Sequence, residues 1–195
     1  MSNATLWKNW FRKTDDGEAL RRLLRSVPIF SQLDDNELRQ VGTLMHNRTY
    51  TDGESVFFEG QPGNGMYVIM RGSVRIVLHH GQPDEVQIAL LEVGDFFGEF
   101  SLLDESPRSA TCVASGVTEL GGFFRPDLRD SVASRPQTGI KIVLKLADVV
   151  AERLRRTNAD LRLTKEELKG EKDKAQKLTH ELEGYRSRGV VIERR

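Results

Sequence analysis

An acid and a base, Glu99 and Arg108, bracket a short apolar run in Asp95-Phe-Phe-Gly-Glu-Phe-Ser-Leu-Leu-Asp-Glu-Ser-Pro-Arg-Ser-Ala-Thr111. Gly98, just before the acid, permits close backbone approach. Glu99 to Leu103 is expected to form one helical turn whose first N–H groups face an anion, with Pro107 ending the turn. Arg108 then returns a planar guanidinium suited to a phosphate, and the small residues Ser109 and Ala110 follow it. A carboxylate cannot help bind a phosphate, but it accepts a hydrogen bond from a sugar hydroxyl. The implied ligand carries one phosphate and one ribose, a small nucleotide; Gly98, Glu99 and Arg108 are the candidate contacts this reading gives, with Phe100, Ser109 and Ala110 beside them in the same stretch.

The elements that must position this stretch change character along the chain. Leu6, Trp7, Trp10 and Phe11 share one face at helical spacing, so an amphipathic N-terminal segment is expected over residues 1–22. Packing on the domain or a second subunit, and contact with a membrane interface, are the alternative uses of that face. Asp15-Asp16-Gly17 is read as a break. A helix from Glu18 to Val27 follows, with Leu20, Leu23, Leu24 and Val27 inward and Pro28 as its stop. Asp34-Asp-Asn-Glu37 has the form of a capping box opening a second helix.

From Tyr50 onward, Gly, Pro, Asn and Asp clusters recur at short intervals. Between them lie six runs rich in Val, Ile, Phe and Tyr: 55–58, 66–70, 73–78, 86–91, 110–114 and 117–123. Many short strands at such spacing predict an antiparallel barrel or jelly roll over residues 23–139. His46, His79, His80 and His180 show no ligand spacing with cysteines or carboxylates, so no metal site is read. Cys112, the one cysteine, lies in an apolar run and is assigned to the core.

Residues 140–183 form the longest periodic stretch. Ala147, Leu154, Leu161, Leu168, Ala175 and Leu182 recur every seven residues, with Val150, Thr157, Thr164, Glu171 and Leu178 three further on. This heptad seam predicts a parallel two-stranded coiled coil, hence a homodimer through 140–183; a solvated single helix is the alternative. Gly184 is expected to end the helix and 184–195 to form a flexible tail.

The totals exclude several classes. The chain has 195 residues with 29 basic and 29 acidic side chains, so no global charge points to nucleic acid. Residues 141–195 carry 15 Lys/Arg against 10 Asp/Glu and the remainder 14 against 19, a mild asymmetry. No window approaches 18 uncharged apolar residues, and the N-terminus lacks a signal-peptide pattern; a cytoplasmic location without a transmembrane segment is expected.

Strand-rich middle, charged cassette and long helix, in this order, resemble the cyclic nucleotide-binding domain family over about residues 23–160. The most specific part is Phe97-Gly-Glu-Phe-Ser-Leu-Leu-(x3)-Pro-Arg-Ser-Ala-Thr111, which is similar to the family's phosphate-binding cassette. Gly53-Glu-Ser-Val-Phe-Phe-Glu-Gly60 and Met66-Tyr-Val-Ile-Met-Arg-Gly-Ser-Val-Arg-Ile76 resemble its first hairpins. The resemblance implies a β-roll with flanking helices, in which Glu99 accepts the ribose 2′-hydroxyl and Gly98 offers backbone beside it. It pairs Arg108 with the cyclic phosphate, aided by backbone at Ser109 and Ala110. The segment Arg153-Leu-Arg-Arg-Thr-Asn158 resembles the family's adenine-reading region, so Thr157 and Asn158 become candidate base contacts; Thr157 is equally a seam position. Ser109 keeps a hydroxyl that does not exclude cGMP, and the ligand is read as cAMP ahead of cGMP.

The expected role is a non-enzymatic sensor that signals to an effector protein through its long helix. A catabolite-activator-like transcription regulator and a ligand-free scaffold are the alternatives. Only 38 residues follow Thr157 and most continue the charged heptad, so direct DNA binding is not expected. No nucleophile–base pattern surrounds the cassette.

Overall fold

The structure is a computed structural model that describes residues 14–187, with side-chain environments from 17 to 184. The tryptophan-bearing segment and the last eight residues lie outside that range. The chain divides into two compact units, one ending at Val149 and the other beginning at Val150.

The first unit opens with α1 (Thr14–Ser26) and α2 (Asp35–Leu44), joined through a 3-10 turn at Pro28–Phe30. The helix runs straight through Asp15-Asp16-Gly17, so the break expected there is absent. Leu20, Leu24, Val27, Ile29 and Phe30 are buried, and the Phe30 ring meets Phe123 edge-on at 5.7 Å. Asp34 caps α2 as its sequence predicts: Oδ1 accepts from Asn36 N and Glu37 N, while Glu37 Oε2 accepts from Asp34 N.

Six antiparallel strands follow: β1 (His46–Tyr50), β2 (Ser55–Phe57), β3 (Gly65–Leu78), β4 (Val86–Leu91), β5 (Phe96–Phe97) and β6 (Thr111–Phe124). The expected β-roll with flanking helices is present, but its strands are divided differently. The runs 66–70 and 73–78 belong to the single strand β3, and 110–114 (save Ala110) and 117–123 fall on β6. Arg71-Gly72 is a bulge inside β3, marked by register shifts on both sides of Arg71, and not a turn between strands. Long β3 and β6 pair with each other from Gly65↔Phe124 to Val77↔Thr111. β1 and β2 line β6 in succession, and β5 and β4 line β3. Tyr50, Tyr67, Ile69, Val74, Phe97, Cys112, Ala114 and Leu120 form the core between them.

Helix α3 (Phe100–Leu103) interrupts the strands between β5 and β6. After β6 come α4 (Arg125–Ser134) and α5 (Pro136–Ser187). The first turns of α5 bury Thr138, Ile142 and Leu146 in the first unit. Helix α5 continues past Gly184 to Ser187, so that glycine does not end it. Glycine inside a helix costs stability without forbidding the conformation.

Candidate functional site

The site is built where the end of β5, α3 and the start of β6 pass over the inner ends of β2 and β3. Gly98 takes φ +76, and a Cβ there would stand 2.5 Å from Arg108 Nη1 and 3.3 Å from the Gly65 carbonyl. Both the left-handed backbone and the contact with Arg108 require glycine. Glu99 follows as the N-cap residue of α3, wholly buried. The turn ends at Asp104, three residues before Pro107, so proline is not its terminator. Pro107 instead bridges Pro62, while Arg108 N donates to Gln61 O and Gly60 N donates to Arg108 O, both at 2.8 Å. The second half of the cassette is thereby stitched to the loop between β2 and β3.

Arg108 is 6% exposed, an unusual position for a charge. Its Nη1 donates to Gly98 O at 3.0 Å and to Ser101 Oγ at 2.9 Å, and its Cζ lies 4.0 Å from the centre of the Phe57 ring. Those acceptors are neutral, and Nε is buried with no hydrogen-bond partner among the described residues. Burial pulls the guanidinium pKa below its ordinary value, while Tyr67, Cys112 and Glu99 oppose that pull. The same burial drives the Cys112 thiol up to about 12, so this cysteine is an inert core residue, as its sequence context predicts. A buried cation bonded to neutral groups, with a donor left over, is a fitting receptor for a phosphate.

The first unit gathers Gly98, Glu99, Phe100, Arg108, Ser109 and Ala110 around one cassette. Ala110 is buried, whereas Phe100 is 43% exposed and Ser109 also faces solvent. Thr157 and Asn158 lie on α5 in the second unit, both exposed.

Three participants escaped the sequence reading. Gly63 lies so close that a Cβ would collide with Ser101 Oγ and approach Arg108 Nε at 3.0 Å. Ser101 supplies the hydroxyl that holds Nη1, and Phe57 supplies the ring beneath the guanidinium. Gly63 reads locally as one more turn residue, and its contacts are made across about forty positions of sequence. Ser101 sits inside the motif, where nothing in its type separates it from a solvent-facing helix serine.

Comparison with known proteins bears on the fold and the family. Residues 47–135 match the model of the cyclic nucleotide-binding domain. The chain is 34% identical over 140 residues to the cyclic AMP receptor protein of Thermus thermophilus, covering 72% of this chain and 63% of that protein. Among solved structures, the N-terminal domain of a transcriptional regulator from Streptomyces coelicolor superposes with TM-score 0.62 at 31% identity. That match covers 71% of this chain and 94% of the other. A cyclic nucleotide-binding domain from Methylobacillus flagellatus matches with TM-score 0.64 at 26% identity, over 73% of this chain and 80% of its own. The chain thus spans about three fifths of the length of the curated receptor it matches. With the cassette, the roll and these relatives in agreement, the chain belongs to the cyclic nucleotide-binding domain family.

Proposed function

We propose that this chain is a cyclic-nucleotide sensor that binds cAMP in preference to cGMP and reports occupancy to an effector protein through α5. The observation that carries the reading is the buried Arg108, hydrogen-bonded to neutral acceptors with Nε left over, beside the buried carboxylate of Glu99. Arg108 takes the cyclic phosphate and Glu99 the ribose 2′-hydroxyl. Gly98, Ser109 and Ala110 supply nearby backbone, and Phe100 belongs to the same turn. Thr157 and Asn158 read the base, and the seam of 140–183 makes the sensor a homodimer. Signalling follows only if the nucleotide prefers one arrangement of α5 over another.

Calorimetric titration with cAMP and cGMP tests the site. A charge-assisted hydrogen bond contributes about 1.5–3 kcal/mol, so Arg108→Ala is expected to weaken cAMP binding roughly ten- to a hundredfold. Unchanged isotherms in the variant would remove Arg108 from the site.

The similarity to a cyclic AMP receptor protein and to a domain of a transcriptional regulator supports a second reading, a transcription regulator of the catabolite-activator kind. Sequence-selective retention of genomic fragments in a gel shift at moderate salt would favour it; uniform, salt-sensitive retention or none would count against it.

A further inference from the structure

Arg125, the first residue of α4, directs Nε and Nη2 of its guanidinium at backbone carbonyls of the cassette and of the loop before β3. Nε and Nη2 donate to Ser101 O at 3.1 and 2.9 Å. Nη2 also donates to Gly63 O at 3.2 Å and to Asp104 O, and Nη1 pairs with Glu105 Oε1 at 2.8 Å. The Arg125 backbone N–H donates to Asn64 O at 2.7 Å, so side chain and main chain grip the same loop. The Arg125 side chain is 12% exposed, against 83% for Glu105, so the carbonyl contacts and not the surface ion pair define its place.

The groups it holds are the walls around Arg108. Ser101 accepts the Arg108 Nη1 hydrogen bond through its hydroxyl while its carbonyl takes two bonds from Arg125. Gly63, whose carbonyl also accepts from Arg125, is the residue backed against Ser101 Oγ and Arg108 Nε. These carbonyls come from opposite sides, the loop before β3 and the turn of α3. A turn of four residues leaves its carbonyls without a following helix to satisfy them. Nε and Nη2 together clasp the Ser101 carbonyl, and the same Nη2 reaches Gly63 O, so the guanidinium plane fixes the direction from one side to the other, which a freely rotating ammonium does not.

We infer that Arg125 is a positioning residue for the anion site: it sets the gap between Gly63 and Ser101 and thereby the pose of the Arg108 guanidinium. The ligand assignment in this inference rests on the cyclic-nucleotide reading above.

The test is a double-mutant cycle with a ligand-free arm. Arg125→Lys keeps the charge and removes the fork. It is expected to weaken cAMP binding about tenfold, the scale of one misaligned charge-assisted bond. In the Arg108→Ala background the same change is expected to alter affinity by less than about twofold, because its effect is transmitted through Arg108. Equal losses in both backgrounds, or no loss in the first, would overturn the inference. In the ligand-free arm, nitrogen-15 NMR follows exchange of the Arg108 guanidinium protons with water, and Arg125→Lys is expected to accelerate it. Unchanged exchange would also overturn the inference. A flat cAMP isotherm for the unsubstituted chain overturns the cyclic-nucleotide reading, and the exchange arm still decides whether Arg125 positions Arg108.

Discussion

A guanidinium taken out of water loses solvation that neutral acceptors only partly restore, so packing around Arg108 must hold it in place. Gly98 is the residue whose alteration shows this most directly. Alanine there meets two penalties, a left-handed backbone that costs about 1–2 kcal/mol and a Cβ 2.5 Å from Arg108 Nη1. Gly53 separates the two: it has nearly the same φ, +75, but a Cβ on it would meet nothing within 4 Å. Gly53→Ala is therefore expected to lower the thermal midpoint by the backbone penalty alone and Gly98→Ala to lower it further, while only Gly98→Ala weakens cAMP binding, about tenfold or more. Melting curves and titrations of both variants check this, and equal affinities would mean the Arg108 pose tolerates displacement. At Glu99 the expectation concerns selectivity. Glu99→Gln removes the charged acceptor for the 2′-hydroxyl and is expected to bring cAMP affinity down toward that for 2′-deoxy-cAMP. A preserved gap between the two nucleotides would remove the ribose from Glu99.

Among the elements, α2 and the first turns of α5 are joined by one carboxylate. Glu37 accepts from Lys141 Nζ at 2.7 and 2.9 Å and from Thr138 Oγ1 at 3.1 Å while it completes the α2 capping box. Burial raises its pKa, but the bonds from Lys141, the Asp34 backbone and Thr138 outweigh burial and hold it below the ordinary glutamate value of 4.5. A depressed folded-state pKa gives stability that is present above the unfolded value and lost as pH falls through the folded one. Stability is thus expected to decline below about pH 4.5, and Glu37→Gln to flatten that decline while lowering stability at neutral pH. Urea unfolding between pH 3 and 7 reads both effects, and an unaltered acid limb would show that this carboxylate does not govern it. The capping box was legible in the sequence because its partners are three residues apart, whereas Lys141 and Thr138 lie more than a hundred positions away. The same distinction runs through the roll. Strand β1, His46-Asn-Arg-Thr-Tyr50, escaped notice because only Tyr50 is buried and no apolar alternation marks it. The apolar runs of β3 and β6 were visible, but glycines inside them look alike at a bulge and at a turn. In the site, Gly98, Glu99 and Arg108 were readable as one contiguous motif, while Gly63, Phe57 and Arg125 join it only through the tertiary fold.

For the whole molecule, the apolar stripe of the surface is on α5. Leu154, Leu161, Leu168, Leu178 and Leu182 are between 48% and 63% exposed, in the seven-residue pattern the sequence displays. Among the described residues no helix is long and apolar enough to cross a membrane, so these leucines are not a spanning segment. A polar helix of this length with a repeating leucine stripe gains little by itself from exposing that stripe to water. Pairing with an identical stripe would bury it as alternating knobs and holes. Glutamate at two successive seam positions places like charges opposite one another in such a pair and removes the apolar contact there. The unsubstituted chain is expected to show twice its 22.1 kDa mass by sedimentation equilibrium, and Leu154→Glu/Leu161→Glu the mass of one chain, with the melting of the β-roll unchanged. Because the two substitutions flank Thr157 and Asn158, cAMP affinity measured on the same variant separates two uses of that stretch. A monomer that binds cAMP as the parent does would confine the site to the cassette, whereas a monomer with weakened binding would support base contacts from Thr157 and Asn158. A variant that keeps the dimer mass would sink the seam itself.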